Sequence, residues 1–139
     1  MDVPIAAGLL CQNGRFLLGK RSAHRLAFPG VWDLPGGHVE ACETAEQALV
    51  RELREELGVT ATSWQELDTL REPAANGEPD TLHLHIFAVS NWEGEPSNVL
   101  PEEHDEIAWF TAEEASKLTL ALDAYPILFR WALASNTKS

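Results

Sequence analysis

"GGHVEACETAEQALVRELREELGV", residues 36–59, decides how the rest of the chain is read. From Thr44 to Leu57 it holds neither Gly nor Pro and is made mostly of good helix formers, and Gly58 stands where a left-handed residue ends a helix. Helical spacing puts Leu49, Val50, Leu53 and Leu57 on one arc, which must face a core. Glu52, Glu55 and Glu56 share the adjoining arc, with Gln47, Arg51 and Arg54 on the remaining side. Like charges at i, i+3 and i+4 cost roughly a few tenths of a kcal/mol per pair, so three carboxylates beside a buried edge call for compensation. Ala45 and Ala48 fall on the glutamate arc one to two turns earlier, and small residues there leave space for a bulky ligand.

A divalent cation supplies that compensation. Clustered, partly buried carboxylates raise one another's pKa unless a cation holds them ionised. Oxygen-rich sets suit Mg²⁺ or Mn²⁺, which keep waters and bind substrate phosphates, and such a metal activates a water while neutralising charge on a phosphoryl centre. The competing reading is a solvated acidic stripe paired with Arg51 and Arg54. The formal charge of the whole chain is −12, which leaves no basic field for a nucleic-acid backbone and excludes a duplex-coating role. An anionic ligand such as a nucleotide would therefore need divalent cations for local positive charge.

Working outward, 139 residues are enough for one domain, 1–139, with a real core. "PIAAGLLCQNGRFLLGKRS" reads as a hairpin, with strands near 4–11 and 15–20 about the Asn-Gly turn. Residues 22–37 form a loop with an extended piece at "WDL". Beyond the helix, "TSWQELDTLREP" and "TLHLHIFAVSNW" make a second antiparallel pair around "AANGEPD". An irregular acidic loop, "EGEPSNVLPEEHD", leads to the strand "EIAWF", a short helix capped by Thr111, and an apolar closing helix, "LDAYPILFRWALAS". The order βββαβββαα, with about six strands, indicates the α/β (α+β) class and an α/β/α sandwich around a mixed central sheet.

Cys11 and Cys42 show no disulfide framework and read as free thiols in a reducing compartment. No run reaches membrane-spanning length and the N-terminus lacks a basic flank, so the expectation is a cytoplasmic protein without a membrane partner, as monomer or homodimer.

Residues 37–59 resemble the Nudix box, G-x5-E-x7-R-E-U-x-E-E-x-G-U with U a bulky aliphatic. Every fixed position is met: Gly37, Glu43, Arg51, Glu52, Leu53, Glu55, Glu56, Gly58 and Val59. The flanks, "WDLPGGHVE" and "EEHDEIAWF" followed by a short helix, are also similar to MutT-type Nudix hydrolases. That resemblance implies hydrolysis of a nucleoside diphosphate linked to another moiety, with Mg²⁺ or Mn²⁺ as cofactor. It makes Glu52 and Glu56 the principal metal ligands, Glu55 a ligand or the group that orients water, and the Gly36 or Gly37 carbonyl a further ligand. Arg51 would pair with Glu43 and a box glutamate as an architectural link. An additional ligand or base would come from Glu102 or Glu103, in a loop that also holds His104 and Asp105. A MutT-type enzyme would take a nucleoside triphosphate, undamaged or oxidised, to the monophosphate and pyrophosphate.

Around the box, Arg21 ends the second strand where a cation meets substrate phosphate, and Arg grips phosphate bidentately. Beside Lys20 it reads equally as a surface residue. An aromatic near Leu34 or Phe28 would stack on a base, while most of Trp32, Trp64, Trp92, Trp109 and Trp131 would be core. His83 and His85 alternate on one strand face, a thin set for zinc, and His38 is an ordinary occupant of a variable box position. Within the same family, coenzyme A, ADP-ribose and sugar nucleotides compete as substrates. Arg25 and Gly30 partly fit a coenzyme A signature, and Pro73 lies where ADP-ribose hydrolases place a proline. A nucleotide-sensing domain without turnover is the alternative from another class.

Overall fold

The computed structural model describes residues 2–23, 29–73 and 80–136. Strands β1 (Asp2–Gln12) and β2 (Arg15–Arg21) form the expected hairpin, with Asn13 and Gly14 both at positive φ, as its tight turn requires. Then come β3 (Trp32–Asp33), β4 (Gly36–His38), helix α1 (Ala45–Leu57), β5 (Thr60–Pro73), β6 (Thr81–Glu93), β7 (His104–Thr111), α2 (Ala112–Ser116) and α3 (Tyr125–Asn136). The sheet has seven strands where the sequence gives about six. The additional one, β4, comprises the box glycines read as a turn.

β1 is the spine. It runs parallel to β6 from Asp2↔Thr81 to Leu10↔Val89, while the other strand pairs among the described residues are antiparallel, which makes the sheet mixed. β5 flanks β6, and β4 lies on the other side of β1. Past the hairpin turn β2 bends away to pair with β7 and β3.

Alternation along β1 feeds two cores. Ala7, Leu9 and Cys11 pack with Phe129, Leu128 and Tyr125 of α3, whereas Ala6 and Leu10 pack with Leu49, Leu53 and Leu57 of α1. Helices on both faces of one mixed sheet make an α/β/α sandwich. None of the five tryptophans is fully buried: Trp92 stacks on Trp109 at 6.1 Å and Trp131 is exposed. Both cysteines are free, Cys11 buried and Cys42 exposed. Among the described residues no helix is long and apolar enough to cross a membrane.

Candidate active site

The site begins with two glycines that are needed for different reasons. β4 pairs with β1 through Ala7↔Gly36 and Ala6↔Gly37. A Cβ on Gly36 would lie 2.6 Å from the Ala7 Cα, so the sheet itself demands glycine there. A Cβ on Gly37 would lie 2.5 Å from the Glu52 Cδ, so the second glycine makes room for a carboxylate.

α1 brings that carboxylate in. Thr44 caps it with a reciprocal box, its Oγ1 accepting from the Gln47 N–H at 3.1 Å and its own N–H donating to Gln47 Oε1 at 2.9 Å. Gly58 closes the helix at φ 73°. Glu56 is 4% exposed, and its Oε2 accepts from the Gly36 N–H at 3.1 Å. Burial above all, then the hydrogen-bonded Glu52 carboxylate and the charge of Glu103, push the Glu56 carboxyl up to about 10, with the Gly36 N–H opposing. Two carboxyls thus face β4 in a poorly solvated place, where a proton or a cation must offset their charge.

Arg51 organises the remaining acids. Its Nε and one terminal nitrogen grip Glu43 at 2.8 and 3.0 Å, the same terminal nitrogen reaches the His38 carbonyl at 2.9 Å, and the other meets Glu52 at 3.1 Å and Glu55 at 3.3 Å. This bidentate grip holds the Glu43 carboxyl at about 2. Arg51, next to Glu55 on the wheel, thus joins Glu43 to Glu52 and Glu55. Glu55 is turned toward Arg51 with half its side chain exposed, apart from the Glu52–Glu56 pair. Among the described residues no three His, Cys, Asp or Glu side chains stand together as a ready metal cluster. Two acids suffice for a hard divalent ion, which takes one or two carboxylates and completes its shell with waters and substrate phosphate oxygens. A buried pair that repels itself is relieved by such a cation, so Glu52 and Glu56 fit one.

In the loop before β7, Glu103 is half-buried and close enough for its charge to act on Glu56, whereas Glu102 is exposed. β7 starts at His104, so His104 and Asp105 belong to a strand and not to the loop. Ala48 is fully buried against the sheet and leaves no ligand space. The open groove along α1, about 470 Å³, runs instead between Val50, Arg54 and Trp64.

Arg21 is held by Asp33 at 3.3 Å with only 13% of its side chain exposed. Asp33 also accepts from the Tyr125 hydroxyl at 2.5 Å and from the Leu34 N–H at 2.8 Å. Burial first, then the Asp33 charge, raise the Tyr125 phenol well above its ordinary value. Leu34 is buried in the α3-side core and has no open face to offer a base. Phe28 and Arg25 lie outside the described residues. His83 and His85 do share a face, with ring centroids 4.5 Å apart and His85 3.4 Å from Glu66. His38 is exposed. The Asp33–Tyr125 bond and the burial of His104 against Glu56 had no signal in spacing or composition.

The Nudix domain family matches residues 2–131. The chain belongs to the Nudix family. Among curated Nudix relatives it is 33% identical over 126 residues to the CTP pyrophosphohydrolase of Escherichia coli strain K12, covering 91% of this chain and 88% of that protein. It is 35% identical over 122 residues to the nucleoside triphosphatase NudI of Enterobacter sp. strain 638, covering 84% and 86%. The crystal structure of a MutT Nudix hydrolase from Burkholderia pseudomallei superposes with a TM-score of 0.83 at 28% identity, over 94% of this chain and 97% of that one. Nudix hydrolases generally use a divalent metal, in keeping with the donor chemistry of Glu52 and Glu56.

Proposed function

We propose that the chain is a MutT-like pyrophosphohydrolase that cleaves a nucleoside triphosphate, undamaged or oxidised, to the monophosphate and pyrophosphate with Mg²⁺ or Mn²⁺. The observation that carries this is the Glu52–Glu56 pair set against Gly36 and Gly37. Relatives named for nucleoside triphosphate hydrolysis cover nearly the whole chain and support the choice of substrate class.

Water adds across one phosphoanhydride bond: a P–O bond forms, another breaks, and the protons released pass to solvent. When bound, the divalent ion supplies charge neutralisation on the phosphates and acidifies a water. The protein contributes position. Glu52 and Glu56 would hold the ion, Arg51 locks Glu52 to Glu43 and to the loop, and the glycines leave room for the carboxylates. Glu55, half-exposed on Arg51, would orient water, and Glu103, whose charge acts on Glu56, would be the additional ligand from the loop. A reducing, cytoplasmic setting is part of the proposal, supported by two free cysteines.

The test incubates the purified chain with CTP, dGTP and an oxidised dGTP, with Mg²⁺ and with chelator, and separates the products. Monophosphate and pyrophosphate formed only with metal is the expected result. Binding of the same nucleotides without product would assign the chain to nucleotide sensing, and turnover of ADP-ribose or coenzyme A alone would reject the triphosphate.

A further inference from the structure

We propose that His104 is a positioning residue for Glu56, holding the buried carboxylate in the one orientation in which it meets a divalent cation. The inference rests on the reading of Glu52 and Glu56 as the metal pair. His104 and Glu56 are both buried, with side chains 7% and 3% exposed, and His104 Nε2 stands 3.9 Å from Glu56 Oε1. The other oxygen, Oε2, takes the Gly36 N–H. The Glu56 carboxyl thus has backbone at one oxygen and an imidazole facing the other, with Glu52 hydrogen-bonded to it.

Two features of the strand pairing put the ring there. The β2–β7 register runs regularly from Arg15↔Thr111 to Lys20↔Glu106, then shifts so that Arg21 pairs with His104 and Asp105 is skipped. Strict alternation would give His104 the face of Glu106 and Phe110, and Phe110 packs on the α3-side core. The bulge turns His104 to the opposite face, the one Ile107 and Trp109 share with α1. Under the ring lies Gly19, where a Cβ would come within 2.6 Å of His104 Cδ2 and 3.1 Å of Nε2. The strand floor is cut away where the imidazole rests.

The backbone ties the two residues into one unit. Asn98 Nδ2 donates to the His104 carbonyl at 2.9 Å, and the His104 N–H reaches the Leu100 carbonyl at 3.3 Å. In the same loop the Val99 N–H donates to the Glu56 carbonyl at 3.0 Å and the Ser97 N–H to the Leu57 carbonyl at 3.0 Å. The loop that carries His104 is therefore fastened to the end of α1 that carries Glu56. Buried behind the carboxylate, His104 acts through Glu56 and not on the substrate.

The experiment measures Mn²⁺ affinity without nucleotide, from the paramagnetic resonance of free Mn²⁺, together with metal-free melting, for wild type, His104→Leu and His104→Gln. Groups that orient metal-binding carboxylates are worth about 10- to 100-fold in affinity, so His104→Leu should lose that much while His104→Gln, whose amide reaches the Nε2 position, recovers most of it. A packing role would give the reverse order, since Leu fills the apolar space better than Gln. Wild-type affinity in folded His104→Leu, or equal losses in both variants, would overturn the proposal. Should His104→Leu not fold, Gly19→Ala decides: it displaces the ring while keeping the imidazole, and wild-type affinity in that variant would overturn the proposal just as well. Failure of the wild-type chain to bind Mn²⁺ would instead overturn the reading of the carboxylate pair itself.

Discussion

Gly37 and Glu52 are in steric contact across the gap between β4 and α1: the carboxylate occupies the space that a side chain on residue 37 would need, with its carbon 2.5 Å from the position of a Cβ. The glycine at this place is an imprint of the acid above it. Gly37→Ala should push Glu52 off Gly37 and strain its 3.1 Å contact with Arg51. A displacement of the order of an ångström at a reacting centre costs about 10²-fold in rate, so kcat/KM for a nucleoside triphosphate should fall by that order. Steady-state pyrophosphate release on the folded variant measures it.

Arg51 and Glu43 make the opposite kind of contact, an attraction strong enough to hold the Glu43 carboxyl at about 2 against an ordinary 4.5. A depressed carboxyl stabilises the fold at pH values above its unfolded pKa, and that contribution is lost as pH falls through the folded one. The melting temperature of Glu43→Gln should therefore sit below wild type at pH 7, with the gap closing between pH 4.5 and about 2. Arg51→Lys should lower the melting temperature at neutral pH as well, because an ammonium cannot span both Glu43 oxygens and the His38 carbonyl. Thermal melts across pH on the three proteins provide the comparison.

Glu56 carries the reverse sign. Its carboxyl is raised to about 10, so its contribution to metal-free stability is present at low pH and drains away as pH climbs from about 4.5, the ordinary carboxyl value, toward 10. Without metal, the wild-type chain should become easier to melt over that span, and Glu56→Gln should show a flatter profile that meets or exceeds wild type near pH 9. Addition of Mg²⁺ should restore wild type and leave the variant unchanged. Melts with and without Mg²⁺ at pH 6 and pH 9 read both effects.

Thr44 offers a control on the same helix. Its hydroxyl accepts from Gln47 at 3.1 Å, and loss of such a cap costs about 1 kcal/mol. Thr44→Ala should unfold at lower denaturant by that amount while kcat at 25 °C stays that of wild type, since Thr44 touches neither the carboxylate pair nor Arg51. Urea titration and initial rates on one preparation suffice.

The sequence carried the hairpin and α1 because both are local: Asn13-Gly14 needs two positive φ angles, and Thr44 to Gly58 contains its own caps. β4 was illegible because two glycines have no strand propensity, and their pairing with Ala6 and Ala7 is a backbone event that only the tertiary fold supplies. The helical wheel placed Glu52, Glu55 and Glu56 on one arc, and in the structure Glu52 and Glu56 meet there against Gly36 and Gly37. It sets Arg51 one turn before Glu55, but the grip of Arg51 on Glu43 and the His38 carbonyl needs the preceding loop folded back on the helix, which a wheel does not show. Asp33 and Tyr125 are 92 positions apart, and a one-residue bulge decides which face His104 takes. Neither leaves a trace in periodicity. Arg21, read as a phosphate contact or a surface cation, is mostly buried and paired with Asp33.

The central claim is that Glu52 and Glu56 together hold the divalent ion on which phosphoanhydride cleavage depends. It is tested most directly by pyrophosphate release from a nucleoside triphosphate at saturating Mg²⁺, comparing wild type with Glu52→Gln/Glu56→Gln after melts have established that both are folded. The account predicts turnover by wild type and a loss of at least about 10³-fold in the double variant, as expected when charge stabilisation at the reacting centre is removed. A folded double variant that releases pyrophosphate at the wild-type rate would contradict it.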